Sequence, residues 1–372
     1  MEENDQKFFN IIFENFAGEN IAISVDGKTT VQELIHLYFK RKGKENLIVN
    51  NVEKAYFIYN SKILIYENNN KKVSSLFREI NSKILVFHLE YNKKFKDIKI
   101  IETIKENVYT CVEKADYGGK IVAIKRIKKA QIKDDLKDNL VLDEITEDIF
   151  RGEIVKFNME LQNMIKCSCE NSVQIYDYFD TDDDFVIIME LCDNTLLREL
   201  AKTKSGFTPE KIKEILLELN NVFKLMNKYN VVHRDIKLNN ILVKYLDKEQ
   251  TKFKVLLSDY GVSNQLSSMT GRFKTHAGTQ IIMAPEILNG EEYNNKCDLW
   301  SLGVNIYQLY TKKPPYTGKF DKVILQQIEK LGQSVLDVIK DDKLKDLLSK
   351  LLVKDPKNRI SWEEYFEHQF FK

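Results

Sequence analysis

The sequence predicts an α+β protein with a small N-terminal domain and a larger domain after it. Its 372 residues exceed the length of most single domains, and 43% of them are hydrophobic, which suffices for a large core. Up to residue 89 short alternating strands surround one amphipathic helix, whereas the later part combines strands with a long helical apolar stripe. Glycine is absent between Gly43 and Gly118, and all five prolines lie at or after Pro209, which also indicates two differently built parts.

Charge and cysteine content exclude several classes of protein. There are 57 Lys and Arg residues and 56 Asp and Glu residues, so the net charge of +1 argues against nucleic-acid binding by bulk electrostatics. The five cysteines form no disulfide-like framework, which is typical of a reducing compartment. The N-terminus has no apolar signal segment, and no apolar run reaches the roughly 20 residues of a membrane span. We therefore expect a cytoplasmic protein with no nucleic-acid partner and no membrane span.

The elements of the first domain follow from residue alternation and from helix signals. Strands are predicted at Lys7–Glu14, Asn20–Val25, Ala55–Tyr59, Lys62–Ile65 and Lys83–Leu89. Thr29 and Thr30 can cap a helix that ends near Gly43. The apolar face of this helix consists of Val31, Leu34, Ile35 and Tyr38. A hairpin, a helix and further short strands predict a small α+β roll.

Part of this roll resembles ubiquitin. The run Phe57-Ile-Tyr-Asn-Ser-Lys-Ile-Leu64 and the segment from Leu76 to Leu89 are similar to the second half of ubiquitin. The resemblance implies a ubiquitin-like β-grasp domain over residues 1–92, followed by a linker at 93–97.

The resemblance implies a docking or regulatory module rather than a conjugated protein. The segment ends in Leu89-Glu-Tyr-Asn92 and not in a diglycine. Ile58 and Phe87 are either an apolar recognition patch or ordinary core residues of two strands. A regulatory protein, or the neighbouring domain, is the expected partner.

The later part contains groups suited to phosphoryl transfer. Thr208 and Pro209 predict the start of a helix whose apolar stripe ends before the run Val231-Val-His-Arg-Asp-Ile-Lys-Leu-Asn-Asn-Ile-Leu-Val243. In this run Asp235 and Asn240 lie five residues apart, and an apolar strand leads into Asp259 further on. Phosphoryl transfer needs an acid at the acceptor hydroxyl and oxygen ligands for magnesium, which these three side chains can supply.

A third motif completes an ordered set. Ile121-Val-Ala-Ile-Lys-Arg126 predicts a strand with Lys125 on one side, and a buried lysine needs a partner such as phosphate or glutamate. With these motifs in this order, residues 98–372 resemble the eukaryotic protein kinase family. The resemblance implies a bilobal fold with an N-lobe at 98–190 and a C-lobe at 191–372. It also implies ATP and Mg²⁺ as cofactors and proteins as substrates.

The resemblance implies a role for each matching residue. Asp235 would accept the proton of the substrate hydroxyl, and Lys237 would bind the γ-phosphate. Magnesium would be held by Asn240 and Asp259. The nucleotide would be bound by Ala123, Lys125, Glu160, Glu190, Cys192 and Leu242.

Within that set, Lys125 would pair with Glu160, whereas Glu153 is the alternative partner with a less suitable spacing to the next strand. Met189 would be the gatekeeper before the hinge, where the Glu190 C=O and the Cys192 N–H would meet adenine.

The C-terminal half is expected to support a peptide-binding segment. Gly278 to Glu286 resembles the end of an activation segment, and Asp298-Leu-Trp-Ser-Leu-Gly303 the helix that anchors it. The resemblance implies that Arg359 pairs with Glu286. Lys237 and Thr279 favour serine or threonine over tyrosine as the acceptor.

Regulation by phosphorylation is also expected. Thr275 lies where many family members are phosphorylated, and Arg234 could receive that phosphate. Ser267, Ser268 and Thr270 are competing sites. The C-terminal tail resembles the autophagy-initiating and calcium/calmodulin-type kinases.

The sequence departs from the family at its phosphate-binding loop. The glycine-rich pattern is expected at Ile101–Val108, which contains no glycine, although Val108 fits the position that covers adenine. Glu106 would bring a negative charge near the phosphates, so weaker nucleotide binding is expected. A smaller departure is Tyr260 in place of phenylalanine.

The predicted function is therefore a Ser/Thr protein kinase with a ubiquitin-like module. The missing glycines leave a nucleotide-binding pseudokinase scaffold as the alternative. A second alternative is an adaptor whose main function lies in the ubiquitin-like module.

Overall fold

The computed structural model describes most of the chain, in two compact units. One unit comprises residues 1–158 and 176–188, and the other comprises 159–175 and 189–372. The described residues are 8–14, 20–41, 55–59, 62–64, 72–76, 81–88, 98–107, 110–128, 157, 160–181, 183–260, 280–318, 320–330 and 333–372. The predicted linker, 93–97, lies outside them, so the predicted domain boundaries remain predictions.

The N-terminal residues form a five-stranded sheet. Its strands are β1 (Phe8–Glu14), β2 (Asn20–Asp26), β3 (Ala55–Tyr59), β4 (Lys62–Leu64) and β5 (Asn81–His88). Their order across the sheet is β2-β1-β5-β3-β4, and β1 and β5 run parallel, whereas the other described pairs run antiparallel. All five predicted strands are confirmed, with ends that differ by one or two residues.

One helix packs on this sheet through its apolar face. It spans Val31–Arg41 and buries the predicted face, and a short helix follows at Val73–Leu76. The Thr30 hydroxyl accepts a hydrogen bond from Glu33 N at 3.2 Å, while the Glu33 carboxylate accepts one from Thr30 N at 2.8 Å. These reciprocal bonds satisfy two backbone donors that a helix start otherwise leaves unpaired. Thr30 is therefore the N-cap.

A second sheet of the same unit carries the predicted lysine strand. It contains β6 (Ile98–Glu106), β7 (Thr110–Tyr117), β8 (Lys120–Lys128), β9 (Ile175–Asp180) and β10 (Asp184–Met189), in the order β6-β7-β8-β10-β9. One face is apolar and packs through Ala115, Val122, Ile124, Val186 and Ile188. Since side chains alternate along a strand, Ala123 and Lys125 lie on the opposite face.

The second unit is largely helical. Residues 160–166 are helical, and a small antiparallel sheet contains β11 (Asn194–Thr195), β12 (Ile241–Tyr245) and β13 (Phe253–Leu257). The remaining helices are Leu196–Lys202, Pro209–Lys228, Pro285–Leu288, Lys296–Thr311, Asp321–Glu329, Asp342–Leu351 and Trp362–Phe366. Short 3₁₀ helices lie at Gln280–Ile282, Gln333–Val338 and Gln369–Phe371. None of the described helices is both long and apolar enough to cross a membrane.

Helix Pro209–Lys228 confirms its sequence prediction. The Thr208 hydroxyl accepts a hydrogen bond from Lys211 N at 3.3 Å, and proline occupies the first turn, where no N–H is needed. The whole predicted stripe is buried: Ile212, Ile215, Leu216, Leu219, Phe223 and Met226. Burying each such side chain contributes roughly 1.5–3 kcal/mol. The helix is thereby held against the segment that begins at Val231, which is also buried.

Candidate active site

The loop after helix Pro209–Lys228 is attached to a buried carboxylate. The backbone N–H groups of His233 and Arg234 each donate to the side chain of Asp298 at 2.8 Å. Asp298 is fully buried near the start of helix Lys296–Thr311, and burial raises its pKa while His233 and Arg234 act to lower it. Arg234 has a left-handed backbone with φ of 65°, which side chains with a Cβ rarely adopt. The two bonds to Asp298 stabilise this unusual turn.

The ring of His233 fixes the next part of the loop. Its Nδ1 accepts a bond from Asp235 N at 3.4 Å, so Nε2 carries the proton and donates to Ser258 O at 3.1 Å. The ring also lies against Tyr260, with centroids 4.9 Å apart. Tyr260 is buried, as expected for a residue that replaces phenylalanine. The histidine thus has a positioning role between Asp235 and Ser258.

Asp235 is buried and surrounded by the side chains that the sequence placed near it. Its Oδ2 accepts bonds from Lys237 Nζ at 2.6 Å and from Asn240 Nδ2 at 2.9 Å. Its Oδ1 is also buried but accepts no hydrogen bond from the described residues. A buried acceptor without a donor is costly unless another molecule completes it. This oxygen is therefore suited to receive a hydroxyl group.

Ser258 links the two candidate magnesium ligands. Its N–H and its hydroxyl each donate to Asn240 O at 2.9 Å, and Asp259 follows directly with φ of 64°. Asn240 donates both of its side-chain bonds through Nδ2, which leaves its amide oxygen as the group that could bind a cation. The described residues contain no cluster of three or more His, Cys, Asp or Glu side chains suited to a metal. One carboxylate and one amide oxygen fit magnesium, which takes further ligands from phosphates and water.

The predicted hinge follows β10. Glu190 N donates to Gln174 O at 2.8 Å, and the Glu190 carboxylate pairs with Lys244. The Glu190 C=O and the Cys192 N–H form no hydrogen bond with the described residues, so both remain able to meet a base. Burial and the nearby Glu190 raise the pKa of Cys192 to about 12, so its thiol is neutral. Leu242 lies half-buried on β12 of the same unit, opposite Leu256.

The predicted lysine strand places two nucleotide-binding residues on one face. Ala123 is buried and Lys125 is half-buried in β8. Glu160 is buried at the start of helical residues 160–166. Lys125 belongs to the first unit and Glu160 to the second, so their pairing remains a prediction.

The phosphate-loop prediction at Ile101–Val108 is wrong in its placement. Residues up to Glu106 are strand, and the turn between β6 and β7 lies at 107–110. Asn107 takes over the role of a turn glycine, because its Oδ1 accepts bonds from Thr110 N at 2.7 Å and from the Thr110 hydroxyl at 2.9 Å. Val108 lies outside the described residues. Val112, which the sequence reasoning missed, lies opposite Lys125 in the sheet.

The expected conflict between Glu106 and the phosphates is not present. Glu106 pairs with Lys128 Nζ at 2.5 Å, and this lysine lowers the pKa of the Glu106 carboxyl. Glu106 lies opposite Cys111, and Cys111 lies opposite Arg126. Because directly opposed side chains share a face, Glu106 is on the other face from Lys125.

The end of the activation segment is anchored by a buried ion pair. Both carboxylate oxygens of Glu286 accept bonds from Arg359, at 2.7 and 2.9 Å, which confirms the predicted pairing. The Ser301 hydroxyl donates to Ile282 O at 2.8 Å. Helix Lys296–Thr311 therefore anchors the segment through Ser301, as predicted. Asp298 instead anchors the loop at His233, which the sequence reasoning did not predict.

The proposed phosphate receptor has a partner that the sequence did not indicate. Arg234 Nη1 donates to the Tyr293 hydroxyl at 2.7 Å, whereas its buried Nε has no partner among the described residues. Thr275 and Thr279 lie outside the described residues, as do Ser267, Ser268 and Thr270. A tyrosine far along the chain has no local signal that points to Arg234.

Comparison with known proteins identifies this arrangement. A family model described as a protein kinase domain matches residues 105–371. The chain belongs to the protein kinase family. The match begins within β6 and covers both the Lys125 strand and the Asp235 loop.

The relatives of this kinase carry serine/threonine kinase names. Serine/threonine-protein kinase 33 of Bos taurus is 29% identical over 209 residues, which are 54% of this chain and 43% of that protein. Serine/threonine-protein kinase ppk11 of Schizosaccharomyces pombe is 32% identical over 229 residues, 60% of this chain and 70% of that protein. Calcium-dependent protein kinase 3 of Plasmodium yoelii yoelii is 29% identical over 276 residues, 73% of this chain and 47% of that protein. The chain thus spans less than half the length of the bovine and Plasmodium relatives, and the family relationship supports a serine/threonine-type kinase.

Proposed function

We propose that the chain is an active Ser/Thr protein kinase that transfers the γ-phosphate of ATP to protein hydroxyl groups. The observation that carries this proposal is the environment of Asp235. Its Oδ1 is buried without a described donor, while Oδ2 is held by Lys237 and Asn240. A carboxylate oriented in this way can accept the proton of a substrate hydroxyl.

The remaining residues of the site have complementary roles. Lys237, which is bonded to Asp235, also lies where it can donate to a phosphate. Asn240 and Asp259, joined through Ser258, would hold magnesium, which when bound neutralises charge that develops on the transferred phosphoryl group. Lys125 and Glu160 would orient the α- and β-phosphates. The nucleotide base would meet Ala123, Leu242 and the backbone of Glu190 and Cys192.

Val112 is an additional candidate for contact with the base. It lies opposite Lys125 in the sheet and shares a face with Ala123. This apolar position in β7 serves the role that was predicted for Val108.

The pseudokinase alternative is not favoured. The acid, the amide and the second acid that the chemistry requires are all present in the sequence, and the loop around Asp235 is tightly held. The missing glycines are offset by the Asn107 turn, which orders the hairpin without a glycine.

A phosphate on Thr275 would be received by Arg234, and Thr279 would favour Ser/Thr acceptors. The buried Nε of Arg234, which has no described partner, supports a further ligand for this guanidinium.

The N-terminal sheet supports the second part of the proposal, a ubiquitin-like docking or regulatory module over residues 1–92. Its support is the strand order β2-β1-β5-β3-β4 with a parallel central pair and one helix after the first hairpin. Its partner would be a regulatory protein. The alternative of a stand-alone adaptor predicts that residues 1–92 alone retain binding of that partner.

The function is tested by incorporation of labelled phosphate from ATP. Asp259→Asn should abolish incorporation into the chain and into a model protein substrate, because it removes a proposed magnesium ligand. Asp342→Asn, which removes an exposed carboxylate in the first turn of another helix, is the matched control and should retain activity. Equal incorporation by the wild type and Asp259→Asn would refute catalysis at this site.

A further inference from the structure

An extra residue in strand β6 decides which side chains face the nucleotide-binding side of the sheet. The register between β6 and β7 shifts between Thr103 and Lys105, so Ile104 has no residue opposite it. Ile104 is exposed at 49%. Side chains alternate along a strand, so one extra residue moves every following side chain to the other face.

This β-bulge places Lys105 in a row with the predicted phosphate lysine. Lys105 lies opposite Val112, and Val112 lies opposite Lys125. Without the bulge, Lys105 would lie opposite Cys111 and would share a face with Arg126. The bulge therefore brings a second lysine onto the face that carries Lys125.

The same bulge removes an acid from that face. Glu106 is turned to the side of Cys111, where it pairs with Lys128. In the neighbouring row, Glu102 is bonded to Lys114 at 3.2 Å. Lys105 is exposed and forms no ion pair with the described residues. Two ammonium groups thus share a row that contains no carboxylate.

We propose that Lys105 is a second phosphate-binding lysine, which together with Lys125 binds the polyphosphate of a nucleotide. An ammonium group at this position compensates for the backbone N–H donors that a glycine-rich loop would offer, because it places a full positive charge close to the phosphates. The inference rests on the proposed function and names the residue that makes nucleotide binding possible without loop glycines.

The test compares nucleotide affinities of the full chain by calorimetry, with ATP and with adenosine. Lys105→Gln removes the charge at an exposed position. Lys99→Gln is the matched control, because Lys99 is exposed on the same strand and lies in the row of Asp116 and Ile121. That row is four residues along β8 from Lys125, or about 13 Å away.

Lys105→Gln should raise the Kd for ATP about tenfold, the low end for a charge-assisted bond made by an exposed lysine, and leave the Kd for adenosine within about twofold. Lys105→Arg should retain ATP binding, and Lys99→Gln should behave as wild type. The weakening should diminish at high salt, since added ions screen an exposed lysine.

Three results would overturn the inference. One is an unchanged Kd for ATP in Lys105→Gln, which would leave the proposed function intact. Another is an equal loss for ATP and adenosine, which would indicate a structural effect on the hairpin. The third is a wild type that binds adenosine and ATP with equal affinity. A wild type that binds neither would overturn the proposed function as well.

Discussion

Replacing Glu286 with glutamine tests whether the buried ion pair organises the second unit. The side chains of Arg359 and Glu286 are 0% and 1% exposed, and two hydrogen bonds join them. Glutamine keeps the shape but leaves the guanidinium charge buried and uncompensated. Breaking such a pair costs about 3–5 kcal/mol.

The lower end of this range is expected because Arg359 keeps other partners. Its guanidinium also donates to the carbonyl groups of Val353 at 2.9 Å and Lys296 at 2.8 Å, and it lies 5.2 Å from the ring of Trp300. A loss of about 3 kcal/mol corresponds to a fall in Tm of about 6–12 °C for a unit of this size.

Urea unfolding followed by tryptophan fluorescence measures this loss, since Trp300 and Trp362 both lie in the second unit. Glu292→Gln, at an exposed glutamate nearby, is the control and should unfold as wild type. The double variant Glu286→Leu with Arg359→Met should be more stable than Glu286→Gln, because it removes both charges. A loss below about 1 kcal/mol in Glu286→Gln would refute the reasoning.

Further outcomes follow from the site. Asp235→Asn should lower the rate of phosphate transfer at least about 100-fold while ATP affinity stays within about twofold, because it removes the proposed base; equal rates would contradict that role. Thr275→Ala should lower activity towards a model substrate, and unchanged turnover would count against phosphorylation there. Because burial raises the pKa of Cys192 to about 12, iodoacetamide at pH 8 should label it far more slowly than in urea, and equally fast labelling of the folded chain would speak against this burial. Deleting residues 1–92 should weaken a regulatory interaction or change activity, and intact binding and activity would contradict the docking role.

Much of the fold could be predicted because its signals are local. Alternation predicted β1 and β2, and the Thr30 cap predicted the helix start, since both depend on residues within a few positions. The stripe of helix Pro209–Lys228 was equally visible. The pairing of Glu286 with Arg359 joins residues 73 positions apart and was available only through the family resemblance.

The hairpin of β6 and β7 shows why other parts could not be predicted. A β-bulge changes the face of each following residue, but nothing in the local pattern around Ile104 marks an unpaired position. The turn signal was present as Asn107 followed by Thr110, since asparagine often replaces glycine in turns. The expected glycine pattern was instead aligned to the preceding strand. Tyr293 was missed for a different reason, because its contact with Arg234 is long-range.

Helix Lys296–Thr311 connects the catalytic loop to the end of the activation segment. Asp298 holds the N–H groups of His233 and Arg234, Ser301 holds Ile282 O, and Asn305 donates to Ile236 O at 2.7 Å. These three side chains are spaced by three and four residues, so they lie on one face of the helix. The backbone on both sides of Asp235 is therefore bonded to a single rigid element. A shift of this helix would move the base and the segment end together, because each is attached through bonds to the same face.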